Sequence, residues 1–134
     1  MRIYALDTNI ISFILKENPN VLSHVRQELK ARNKLIIPPL AYYEVRRGLL
    51  SVDTPVLTPA FNRFCAKIPV GKMSNSELDE AARIYAALKK KGRLIEDADI
   101  LIAAYCIVNG YTLVTNNTKH FENVDNLLRE DWTE

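Results

Sequence analysis

Two hydrophobic patterns alternate along this chain. Short unbroken apolar stretches rich in strand formers lie at Arg2 to Leu6, Leu35 to Ile37 and Thr112 to Thr115, with Ile68-Pro69-Val70 as a third short strand or edge. Between them, apolar residues recur at helical spacing. Ile10 to Leu15 reads as a helix ended by Asn18-Pro19, and Val21, Leu22, Val25 and Leu29 mark the next one. Pro39 suits the first turn of a helix running through Tyr43, Glu44 and Val45 to Leu50, and Thr58-Pro59 opens another. Ser74-x-x-Glu77 is a capping box, and the helix behind it aligns Leu78, Ala81, Ala82, Tyr85 and Leu88. Lys89, Lys90 and Lys91 finish that helix and Gly92 stops it. Asp97 to Asn109 is the next helix, ended by Gly110, and the tail from Phe121 to Trp132 shows no clear pattern.

Apolar strands alternating with helices predict an α/β fold with a mostly parallel sheet buried on both faces. No repeat or linker divides residues 1–134, so a single domain is expected. In such folds the chemistry lies beyond the carboxyl ends of the strands.

Composition narrows the picture without redirecting it. The chain has 134 residues, 48% hydrophobic and 25% charged, as expected for a folded soluble domain. Its longest apolar run, Ile100 to Val108, falls short of the ~20 residues a membrane helix needs. Asp7 interrupts the N-terminal stretch too early for a signal peptide, so a cytoplasmic protein without membrane contact is expected. Cys65 and Cys106 form no C-x-x-C pair, and neither His24 nor His120 has a metal-ligand spacing, which argues against zinc. A net charge of +2 neither demands nor excludes nucleic acid.

Three acids stand where chemistry is expected. Asp7 directly follows the first strand; it can be a helix cap, although Thr8 or Asn9 could cap instead. Glu44 projects from a stripe of apolar or small residues, with Arg47 available as an i,i+3 partner and Gly48 one turn on, which a close approach by another backbone or a ligand would explain. Asp99 opens a helix apolar on all sides, and Asp97, on the opposite face, reads as its cap. Thr115-Asn116-Asn117 leaves the last clear strand. Carboxylates ~4 Å apart repel by about 4 kcal/mol at an effective dielectric of ~20. A hard cation relieves that repulsion, and oxygen ligands select Mg²⁺, or Mn²⁺ as a substitute, over zinc.

Taken in order, Leu6-Asp7-Thr8-Asn9, Glu44-x-x-x-Gly48, Asp99-x-x-Ile102-Ala103-Ala104 and Leu113-Val114-Thr115-x-Asn117 resemble a PIN-domain ribonuclease. Gly92-Arg93-x-Ile95, His120-Phe121 and Asp131-Trp132 resemble the VapC toxins of type II toxin–antitoxin pairs. The resemblance implies a three-layer PIN-like fold, a central mostly parallel sheet flanked by helices. It implies a Mg²⁺-dependent endoribonuclease that cuts structured RNA, tRNA or rRNA, and arrests translation. A VapB-like antitoxin and a homodimer come with it. Carried over, Asp7, Glu44 and Asp99 are the catalytic and metal-holding acids, supported by Thr115 and Asn117. Asn117 replaces a fourth acid common in the family, which weakens the case for a second metal. Arg46, Arg47, Lys89, Lys90, Lys91 and Arg93 are candidate RNA contacts, since cations neutralise phosphates without reading sequence. Two rival readings are a haloacid-dehalogenase-like phosphatase, whose second Asp would fall at Asn9, and a non-cleaving PIN-like module that binds RNA or protein.

Overall fold

The computed structural model describes residues 1–52 and 54–134. The elements run β1 (Ile3–Leu6), α1 (Thr8–Leu15), α2 (Pro19–Lys30), β2 (Lys34–Ile36), α3 (Pro39–Ser51), α4 (Leu57–Lys67), α5 (Asn75–Lys91), α6 (Asp97–Asn109), β3 (Thr112–Val114), a 3₁₀ turn (Thr118–Phe121) and β4 (Arg129–Glu130). The sheet order is β2-β1-β3-β4, and every pairing is parallel. The chain steps from β1 to one side, then returns across the fold to place β3 on the other. That reversal opens a crevice at the carboxyl ends of β1 and β3, where such sheets bind ligands.

Local sequence explains most boundaries. Asn18 accepts a hydrogen bond from the Val21 N–H ahead of Pro19, so α2 starts where its cap and its proline dictate. Ser74 and Glu77 close the capping box of α5, and the Ser74 hydroxyl and N–H hold the Glu77 carboxyl down to about 2. Gly92 and Gly110 both sit in the left-handed region, at φ 66° and 71°, and end α5 and α6. The α5–α6 pair is an antiparallel hairpin, tied at its far end by Asn109 Nδ2 donating to Glu77 Oε1 at 3.3 Å. Its turn therefore lies with the start of α6, at the same end as Asp99.

The core is built on the apolar strands, with Tyr4, Ala5, Leu6, Leu113 and Val114 all buried. Around them, Ile102, Ala103, Ala104 and Cys106 of α6 are fully enclosed, as an all-round apolar helix requires.

Four expectations are corrected. On α5 the buried side chains are Glu77, Ala81, Ile84 and Leu88, whereas Ala82, Leu78 and Tyr85 are exposed; the buried stripe runs through Ile84, not Tyr85. The residue capping α6 is Glu96, and Asp97 is the first helical residue, exposed and favoured by the helix dipole. Ile68-Pro69-Val70 supplies only an isolated bridge, Ile37 to Val70, since Pro69 has no N–H to extend it. The unpatterned tail contains β4 and places Trp132 in the core, edge-on to Tyr4 at 5.1 Å and stacked on His24 at 5.6 Å.

Candidate active site

The site is assembled from the ends of β1 and β3, the second turn of α3 and the first turn of α6. Asp7 leaves β1 as its N–H donates to the Val114 carbonyl of β3 at 2.9 Å. It is the residue capping α1, with its Oδ1 accepting from the Thr8 N–H at 2.8 Å, so capping and chemistry coincide. Thr8 and Asn9 lie inside the helix and do not free it from that duty.

Both of those neighbours serve the site in other ways. The Thr8 hydroxyl donates to Glu44 Oε1 at 2.8 Å, joining α1 to α3. Asn9 donates from Nδ2 to Thr115 Oγ1 at 3.4 Å, and its Oδ1 accepts from the Asn116 N–H at 3.2 Å. The asparagine thus pins the start of α1 to the exit of β3. Thr115 is fully buried, and its side chain favours the ionised form of the Asp7 carboxyl. The exposed Asn117 donates its backbone N–H to Thr115 Oγ1 at 3.1 Å and begins the 3₁₀ turn.

Glu44 is partly buried, its side chain 16% exposed, with Arg47 3.6 Å away on the next turn. Gly48 meets no approaching backbone: a Cβ there would have nothing within 4 Å. The glycine instead borders an open groove beside Thr8 and Glu44.

Asp99 shows the feature that sequence reasoning missed. His120 Nε2 lies 2.9 Å from Asp99 Oδ2. Because an ionised carboxylate only accepts, Nε2 carries the proton. Neither histidine has a metal-ligand spacing in the sequence, yet His120 meets one of the acids in space. Its only sequence signal was position, a few residues past the end of a strand.

The charges of Asp99 and Glu44 both reach Asp7. Burial pushes the Asp7 carboxyl from 3.8 up to about 6, helped by the charges of Asp99 and Glu44 and opposed by hydrogen bonds from Thr115 and the Thr8 N–H. Buried Cys106 lies beneath, close enough for the Asp7 charge to raise its thiol further after burial has done most of the work. Among the described residues no three His, Cys, Asp or Glu side chains are gathered closely enough to hold a metal ion. The donors fit a hard cation all the same: oxygen ligands on mutually repelling acids, with an open side. Mg²⁺ suits such a site because it keeps several waters and uses few carboxylates.

The candidate RNA-binding cations divide. Arg46 is committed to packing: its guanidinium lies 5.3 Å from the Tyr42 ring and 4.8 Å from the Phe61 ring. Arg47 lies over Tyr43 and beside Glu44. Lys91 is tied to Asp125 at 3.6 Å and to the Asn123 carbonyl. Lys89, Lys90 and Arg93 are exposed around the α5–α6 turn.

The PIN domain model matches residues 4–127. The chain belongs to the PIN domain family. Within that family it is similar to VapC ribonucleases: Ribonuclease VapC1 of Haemophilus influenzae is 29% identical over 98% of each chain. The tRNA(fMet)-specific endonuclease VapC of Shigella flexneri is 30% identical, over 97% of this chain and 98% of its own. Among solved structures, VapBC2 from Rickettsia felis, bound to a DNA fragment from its promoter, superposes with a TM-score of 0.91 at 26% identity. It covers 97% of this chain and 98% of that one. This VapC-type PIN domain has the parallel sheet and flanking helices that its motifs imply. Its Asn9 amide serves as a clamp between α1 and β3, which leaves the phosphatase reading without its second acid.

Proposed function

We propose that this protein is a Mg²⁺-dependent endoribonuclease, the toxin of a type II toxin–antitoxin pair, cutting structured RNA of the tRNA or rRNA class. The observation that carries it is Asp7: a carboxyl buried at the end of the central strand, with its ionisation opposed by Asp99 and Glu44. A protein has little reason to crowd acids there unless a cation neutralises them.

Asp7 and Asp99 would hold the ion. When bound, it supplies Lewis-acid stabilisation of the charge that builds on the scissile phosphate. Glu44, oriented by the Thr8 hydroxyl, takes the proton from the attacking water. Attack by water on phosphorus breaks the bond to the 3′-oxygen, leaving a 5′-phosphate and a 3′-hydroxyl. His120 is engaged with Asp99, which disfavours its use as a base at a 2′-hydroxyl. Lys89, Lys90 and Arg93 contact the RNA backbone, and Arg46 does not.

The choice of substrate class rests on the Shigella flexneri relative, named for tRNA cleavage, and that of partner on the neighbouring VapBC structures. A VapB-like antitoxin is the proposed partner and a homodimer the proposed assembly. Among the described residues no helix is long and apolar enough to cross a membrane. The test is to incubate the purified protein with total RNA, with Mg²⁺ or with EDTA, and to sequence the new ends. Cleavage with Mg²⁺ leaving 5′-phosphates is expected. Activity surviving EDTA, or 2′,3′-cyclic phosphate ends, overturns the reading.

A further inference from the structure

The segment after β3 does more than continue the chain. Thr115 supports Asp7 and at the same time accepts the Asn117 N–H. Asn117 in turn accepts the His120 N–H at 3.0 Å, which winds the 3₁₀ turn. Phe121, 1% exposed, anchors that turn in the core and packs edge-on to the His120 ring at 5.4 Å. The imidazole is therefore held at a fixed place, 34% exposed, with Nε2 aimed at one oxygen of Asp99. Asp99 is 22% exposed, and no other side chain among the described residues hydrogen-bonds to it.

We infer that His120 is a positioning residue that orients the Asp99 carboxylate for the metal. Its Nε2–H occupies Oδ2, restricts rotation of the carboxylate about its own bond and leaves Oδ1 for the ion. Hydrogen-bonded partners behind a ligand set its orientation, and their loss costs roughly 10–100-fold in metal affinity. The arrangement also links two acids: one turn, wound from Thr115, carries the group that aligns Asp99 while Thr115 itself supports Asp7. The inference rests on the metal-dependent reading above.

The experiment measures Mn²⁺ binding to the nucleic-acid-free protein by electron paramagnetic resonance of the free ion, for wild type, His120→Ala and His120→Gln. Melting curves in EDTA check that each variant is folded. Gln retains an N–H donor near the position of Nε2, and Ala does not. Expected are an affinity at least ~10-fold weaker for His120→Ala and near-wild-type binding for His120→Gln. If wild type binds Mn²⁺ and His120→Ala binds as well or better, the inference falls while the metal reading stands. Equal weakening in both variants also overturns it, since a donor alone would then not suffice. If wild-type protein binds no Mn²⁺ at millimolar concentrations, the metal reading falls and takes the inference with it.

Discussion

At the scale of single residues, Asp7 carries opposed demands. It caps α1 and is buried, so its charge is costly and its carboxyl rises to about 6. The native state then holds a proton that the unfolded chain has lost between about pH 4 and 6. On this account stability is greatest in acid, falls as pH rises through that window and stays low above it. Asp7→Asn removes the penalty: without metal it should raise stability by ~1–3 kcal/mol at pH 7.5 and by much less at pH 4, read from melts in EDTA, while abolishing cleavage. Thr8→Val keeps the side-chain shape but frees Glu44 from its 2.8 Å partner. Cleavage rate should fall ~10-fold with a stability change under ~1 kcal/mol. Asp7, Glu44, Asp99 and Thr115 were legible as candidates because each follows a strand or interrupts an apolar stripe. Thr8, Asn9 and His120 were not, because their partners lie on other elements.

At the scale of elements, starts and stops follow short-range signals and were legible in outline. The Ser74–Glu77 box, Pro39, Gly92 and Gly110 each act within one turn of their own position. Which face an element buries is a longer-range matter. Leu78 and Tyr85 shared an apolar stripe with Leu88, yet Ile84 is buried while those two are exposed. A close approach is equally hidden. Gly71 accepts no Cβ because the Tyr105 hydroxyl of α6 occupies that space, while its N–H bonds Ile37 at 2.8 Å. Gly71→Ala should cost ~1–3 kcal/mol by overpacking, visible as a lower urea midpoint with an unchanged slope. Gly48, by contrast, has open space above it.

For the whole molecule, the order β2-β1-β3-β4 sets the site: it lays the end of β1 beside the end of β3 and leaves α3 and α6 to bring in the remaining acids. The tail closes the far edge, and Trp132 locks it against Tyr4 and His24. Trp132→Ala should destabilise the fold by ~3–5 kcal/mol, and hydrogen exchange should show β4 losing protection before β1. Alternation of apolar runs, caps and breakers is encoded within a few residues, so the sequence alone determined the α/β class, the order of the elements and the acids worth suspecting. The strand order, the burial that raises Asp7, the packing of Arg46 over the Tyr42 and Phe61 rings and the meeting of His120 with Asp99 were decided only by tertiary structure. Those features arise from contacts between segments far apart in the chain, and packing, not local pattern, selects which of them form.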